Sequence, residues 1–168
     1  MNSEELKQLQ APLKNQYRED PNSAVVTLKA QSRLGEGITC KIETGKAMVT
    51  AGLHPATGGN GFAACSGEML LEALAACAGV TLNSVATAIG VELADASVQV
   101  EGDLDFRGTL GVSKEAPVGF AAIRMNFKLE SKADKALLDK LIELTERYCV
   151  VYQTLKAAPN IDVNYEIA

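Results

Sequence analysis

The sequence predicts a single α+β domain, with antiparallel strands on either side of one long central helix. An apolar run with helical spacing, Gly67 to Leu82, lies mid-chain. Stretches that alternate apolar and polar residues precede and follow it. The strand–helix–strand alternation that builds a parallel sheet is missing. With 168 residues, 47% of them apolar, the chain can bury one full core. Residues 1–168 therefore read as one domain, in which residues 1–23 form an N-terminal helical extension.

Taken in order, Leu6, Leu9 and Leu13 lie at helical spacing within Ser3 to Gln16, and Asp20-Pro21-Asn22 ends that run. Ala24-Val25-Val26-Thr27-Leu28 reads as the first strand. Ser32-Arg33-Leu34-Gly35-Glu36-Gly37 reads as a turn, and Ile38 to Glu43 as the second strand. Thr44-Gly45 closes a hairpin into a third strand, Lys46 to Leu53. His54-Pro55 then opens a glycine-rich loop that ends at Gly61.

Ser66 is the expected N-cap of the long helix, Glu68 favours its positive end, and Gly90 is its expected stop. Val98, Val100, Leu104 and Phe106 share one alternating register; Ile123, Met125, Phe127 and Leu129 share another, so two more strands follow. Leu137, Leu138, Leu141, Ile142 and Leu144 mark a second long helix. A short helix runs on to Lys156, Pro159 breaks it, and Ile161-Asp162-Val163-Asn164-Tyr165 reads as a closing strand.

Composition bounds the function. A formal charge of −5 and the lack of any basic run argue against nucleic acid and anionic membranes as partners. No apolar stretch reads as long enough to span a bilayer, and the acidic, polar start Met1-Asn2-Ser3-Glu4-Glu5 is no export signal. Four cysteines in such a chain are expected to be reduced thiols, and the cytoplasm is the expected location.

Two of those thiols stand out. Cys77 lies inside the central helix, where it cannot use the helix N-terminus to lower its pKa and must borrow a cation or a second thiol. Cys149 lies downstream, beside the second apolar helical pattern. The bland alternative is that Cys77 is a small buried hydrophobe. Cys65, just before the helix, is better placed by the helix dipole alone. Cys40 reads as strand packing. His54, the single histidine, reads as a residue that shapes or caps its loop rather than as a general base. A zinc site from His54, Cys65, Cys77 and Cys149 lacks any close ligand pair. Gly58-Gly59-Asn60-Gly61 lacks the Gly-Lys-Ser/Thr ending of a phosphate loop. Ala73, Ala75, Ala76, Ala78 and Gly79 leave little side chain on several helix faces, which calls for cover on most sides. The chain's own sheet or a second copy would each provide it.

His54-Pro55, Gly58-Gly59 and the run Glu68-Met69-Leu70-Leu71-Glu72-Ala73-Leu74-Ala75-Ala76-Cys77, followed by Gly90-Val91 and by Cys149 ahead of Thr154-Leu155, resemble the OsmC/Ohr family of osmotically inducible and organic hydroperoxide resistance proteins. The resemblance extends from about Ala24 onward. It implies an OsmC-like fold in an intertwined homodimer, with active sites near the subunit interface. It also implies a thiol peroxidase acting on small organic hydroperoxides, with Cys77 as the peroxidatic and Cys149 as the resolving cysteine. No metal or bound cofactor is implied, only an external dithiol reductant such as a lipoyl group. Arg33 is the positional candidate for the cation that stabilises the thiolate, with Arg18 and Arg147 as rivals.

The chain departs from that pattern in places. Ser66 stands where Pro is frequent, Val150 where Pro usually follows the distal cysteine, and Gly67 where the hydroperoxidases carry a Glu. At 100° per residue Gly67 lies about 80° around the helix from Cys77, whereas Glu68 lies about 180° and Glu72 about 140° away, so neither replaces it. Thr81 and Ser84 share a face with Cys77 and can bond a thiolate, a ligand or their own helix carbonyls. Two alternatives to the peroxidase reading stand beside it: a non-catalytic ligand-binding member of the family, and a hot-dog-type acyl-CoA thioesterase.

Overall fold

The computed structural model describes residues 3–34, 40–42 and 51–167, with side chains at residues 8, 10–27 and 52–167. Helix α1 (Ser3–Glu19) comes first. It ends where the Asp20 carboxylate accepts from the Asn22 N–H at 3.1 Å and Pro21 opens a 3-10 turn. Leu13 and Tyr17 turn towards the core. Tyr17 is only 3% exposed, and its hydroxyl donates to the Ala56 carbonyl at 2.6 Å.

Among the described residues six strands follow: β1 (Val25–Leu34), β2 (Cys40–Ile42), β3 (Ala51–Gly52), β4 (Ala64–Cys65), β5 (Asp95–Asp105) and β6 (Phe120–Glu130). Four form an antiparallel sheet in the order β2-β1-β5-β6. β1 is longer than the sequence predicts. Ser32-Arg33-Leu34, expected in a turn, is paired strand, with Arg33 between Lys41 and Ser97. Pairing on both edges overrides the local turn preference of that segment. The expected Thr44-Gly45 hairpin lies outside the described residues. What is seen of the third strand, β3, pairs in parallel with β4, a local exception to the antiparallel expectation.

β5 alternates as predicted, burying Ala96, Val98, Val100 and Leu104. Phe106 leaves that register to begin the short α3 (Phe106–Thr109), because the Asp105 carboxylate accepts from the Arg107 N–H and turns the chain. Arg107 also forks onto the same carboxylate.

The long helix is α2 (Ser66–Ile89). Its N-cap is Cys65 rather than Ser66, with no side-chain capping bond, and Ser66 is the first helical residue. Gly90 stops it in the left-handed region at φ 72°, as its position predicts. Leu71, Leu74, Ala75, Ala78, Gly79, Leu82, Val85 and Ala86 form its buried side and share one core with Val98, Val100 and Leu104. Ala75 and Gly79 are thus spent inside the protomer. Met69, Leu70 and Val80 remain exposed on the other side. The 24 residues of α2 are long and apolar enough to cross a membrane, contrary to the sequence reading, in which two glutamates and scattered small polar residues masked its length. In this fold one face of the helix is a core face.

α4 (Lys135–Tyr148), capped by the Asp134 carboxylate on the Leu137 N–H at 2.8 Å, and α5 (Val150–Lys156) pack on α2. The closing strand expected over Ile161–Tyr165 is not formed. Residues 158–167 carry no regular structure, and among the described residues no strand pairs with them.

The loop before α2 is tightly closed. A Cβ built on Gly59 would fall 1.7 Å from the Leu53 carbonyl oxygen. Gly59→Ala must therefore push backbone aside, and is expected to cost roughly 3 kcal/mol. Urea unfolding should show the midpoint falling with an unchanged slope.

Candidate active site

The site is built where α2 meets the joint between α4 and α5. Cys77 lies near the middle of α2, about three helical turns from either end, and its side chain is half-buried. Cys149 separates α4 from α5 with extended backbone (φ −72°, ψ 106°). Its N–H donates to the Thr145 carbonyl at 2.9 Å, which closes α4. Its Sγ accepts from the Tyr152 N–H at 3.5 Å, which opens α5. Buried Leu141 and Thr145 fix α4 against the core, and the Thr145 hydroxyl donates to the Leu141 carbonyl at 2.8 Å.

That packing brings the two thiols together. Cys149 is fully buried and hydrogen-bonded to the Cys77 side chain. Burial pushes the Cys149 thiol up to about 11, and Cys77 pushes the same way, while the Tyr152 N–H opposes them. Cys149 therefore stays a neutral thiol at ordinary pH. The sign of the linkage follows. Between about pH 9 and 11 an unfolded chain would release a proton that the native chain keeps, so stability falls as pH rises through that window. Urea midpoints compared at pH 8 and pH 10 should show this loss, and Cys149→Ala should shrink it.

Beyond Cys77, Thr81 is half-buried and Ser84 exposed. Both line a groove of about 390 Å³ with Val80, Val85, Ala88 and Tyr148. The groove starts one turn along α2 from the thiol. It is apolar apart from the hydroxyls of Thr81, Ser84 and Tyr148, and so suits an alkyl chain with one polar end.

The other sequence candidates lie elsewhere. Arg33 sits in β1, and its side chain lies outside the described residues. Arg18 bonds Asn15 Oδ1 at 2.9 Å on α1. Arg147 lies 5.4 Å from the ring centre of its neighbour Tyr148 and is exposed. Among the described residues, no cation contributes to the shift at Cys149. Cys65 is buried at the start of α2, twelve residues and so about 18 Å along the axis from Cys77. Cys40 lies in β2, its side chain outside the described residues. His54 caps its loop as expected: Nδ1 accepts from the Ala56 N–H at 3.0 Å, and the ring stacks on Phe106 at 5.0 Å. Among the described residues, no three His, Cys, Asp or Glu side chains converge on a metal-sized site. Burial, with Glu68 adding to it, raises the Glu72 carboxyl above its usual range.

Sequence reasoning missed Tyr152, whose amide holds Cys149 and whose hydroxyl donates to Glu146 at 3.2 Å. Its position three residues past Cys149, on the first turn of a short helix, is the signal that could have found it.

No curated protein matches the sequence. Solved structures that share the fold include two OsmC-like proteins. An OsmC-like hydroperoxide resistance protein from Jannaschia sp. CCS1 is 17% identical with a TM-score of 0.62, the match covering 86% of this chain and 95% of that one. An OsmC-like protein from Mycoplasma pneumoniae is 19% identical with a TM-score of 0.55, covering 80% and 86%. At those identities the likeness carries the fold alone. The family model described as OsmC-like protein matches residues 58–164, a span that holds both Cys77 and Cys149 and leaves the hot-dog alternative without a frame. This chain belongs to the OsmC-like family.

Proposed function

We propose that the chain is a thiol-dependent peroxidase that reduces small organic hydroperoxides. The observation that carries this reading is the pairing of a half-buried thiol on α2, Cys77, with a fully buried thiol, Cys149, in hydrogen-bond contact. The asymmetry supports a division of roles. Cys77 meets the substrate; Cys149, kept protonated by burial, waits to resolve.

The Cys77 thiolate attacks the distal oxygen of the hydroperoxide. The S–O bond forms, the O–O bond breaks, and the alkoxide leaves as alcohol after taking a proton. Cys77 is then a sulfenic acid. The Cys149 sulfur attacks it, a disulfide forms, and hydroxide leaves as water with the Cys149 proton. An external dithiol of the lipoyl type returns both thiols and is itself oxidised to a disulfide. Arg33 is the residue we assign to stabilise the thiolate and the charge on the leaving oxygen. We assign the protein to the cytoplasm and to a homodimer in which a second copy covers the Met69, Leu70 and Val80 face of α2.

A second reading, a family member that binds an apolar ligand without turning it over, is favoured by Gly67, where a carboxylate would orient the arginine. One experiment separates them. Reduced protein treated with one equivalent of an alkyl hydroperoxide should yield a Cys77–Cys149 disulfide on non-reducing mass mapping. A bond elsewhere, or none, overturns the peroxidase. Gly67→Glu should raise turnover, and Arg33→Ala should remove that gain.

A further inference from the structure

Cys149 is fully buried, yet the helix that follows it is lightly anchored. α4 is fixed in the core by Leu141 and Thr145. None of the seven described residues of α5 is buried; Val151 and Tyr152 rest on the core half-exposed. The joint between the helices is one extended residue, Cys149 itself. Rotation at such a residue swings α5, and with it the Tyr152 N–H that holds Cys149 Sγ. Among the described residues two side-chain bonds span the joint, and both end on Glu146. The Tyr152 hydroxyl donates to Glu146 Oε2 at 3.2 Å, and Gln153 Nε2 donates to the Glu146 carbonyl at 2.8 Å. Residues six apart do not meet along one helix, so the Tyr152–Glu146 bond depends on the bend at Cys149. Tyr152 is thus tied at two points, by its amide to the thiol and by its hydroxyl to α4.

We propose that Tyr152, braced by Glu146, is a positioning residue for the step in which Cys149 resolves Cys77. In that step the Cys149 sulfur attacks the Cys77 sulfenic sulfur. The S–S bond forms as the S–O bond breaks, and the leaving hydroxide becomes water with the Cys149 proton. The attack runs along the S–O axis from its far side, so a small swing of Cys149 costs rate even while the two sulfurs stay in contact. The brace fixes the angle of α5 and the Tyr152 amide fixes the sulfur. Fast closure then spares the Cys77 sulfenic acid from a second peroxide. The role rests on the disulfide step of the proposed function and leaves the first attack on peroxide untouched.

The test uses the full chain and reads two rates. Reduced protein is mixed with one equivalent of an alkyl hydroperoxide, quenched at intervals with a thiol alkylator and a sulfenic-acid trap, and resolved by mass. Tyr152→Phe should leave loss of the Cys77 thiol unchanged and slow closure of the Cys77–Cys149 disulfide roughly tenfold, as expected for one lost hydrogen bond to a charged acceptor. Sulfinic acid at Cys77 should rise under excess peroxide. Glu146→Ala should reproduce this, and serves in its place if Tyr152→Phe melts below the assay temperature. Glu146→Gln, which keeps an acceptor oxygen, should recover most of the lost rate. A second arm omits peroxide: each protein is equilibrated with reduced and oxidised glutathione, and the effective concentration of the thiol pair should fall in Tyr152→Phe. That fall in a protein whose Cys77 ignores peroxide upholds the positioning role and overturns the peroxidase. Equal closure rates and equal equilibria in Tyr152→Phe and the unaltered protein overturn the positioning role and leave the peroxidase standing. Slowing of both rates together overturns it in favour of a general structural defect. Absence of a Cys77–Cys149 bond by either route overturns both.

Discussion

Cys77→Ser is expected to abolish consumption of alkyl hydroperoxides, a loss on the order of a thousandfold or more, because the thiol beside it, Cys149, is fully buried and held protonated. Cys65 is the nearest rival by chemistry and the wrong one by position, at the far N-terminal end of α2. Cys149→Ser should behave differently. The first turnover should proceed, sulfenic acid should persist on Cys77, and excess peroxide should carry it on to sulfinic acid. Intact mass after stepwise peroxide addition reads all three states: no added oxygen for Cys77→Ser at that site, one and then two for Cys149→Ser, and loss of two hydrogens for the unaltered protein. Equal oxidation of all three proteins would place the chemistry at another cysteine.

Leu82→Ala is expected to be the most damaging single change to the fold. Leu82 is fully buried in the core shared by α2 and the sheet, with small Ala78 and Ala86 one turn to either side of it on the helix. Those neighbours cannot swing in to fill the space, so the cost should lie in the upper part of the roughly 2–5 kcal/mol range for such truncations. For a chain of this length that corresponds to a Tm lower by about 10 °C, readable by calorimetry. A fall of less than about 1 kcal/mol would mean that the helix shifts to close the gap.

Much of this architecture is legible from local patterns. The run that becomes α2 announces itself by its helical spacing, and Gly90 by its position. The alternation in Val98 and Val100 places β5, and a lone histidine ahead of Pro55 identifies its own capping role. The misses share a cause: each depends on what the segment meets. Arg33 looks like a turn residue, yet pairing with Lys41 and Ser97 makes it strand. The tail at Ile161 looks like strand, yet among the described residues no strand pairs with it. Ser66 has the better capping chemistry, but β4 carries the chain straight to Cys65, which caps, and the helix begins at Ser66, one residue earlier than expected. At the site, the Cys77 and Cys149 pair was readable through its family frame. The role of Tyr152 shows only in its position three residues past Cys149, since a backbone amide leaves no trace in side-chain chemistry.

The joint at Cys149 has a consequence for the lifetime of the folded chain. The thiols that touch across α2 and the start of α5 are separated by about seventy residues of sequence, so a covalent link between them would forbid the unfolded chain most of its expanded shapes. By chain-entropy reasoning a loop of that size is worth about 4 kcal/mol. Each oxidation would then tighten the protein against unfolding and each reduction loosen it. Resistance to proteolysis would follow the supply of reductant, and the molecule would be most durable at the moments when peroxide is plentiful.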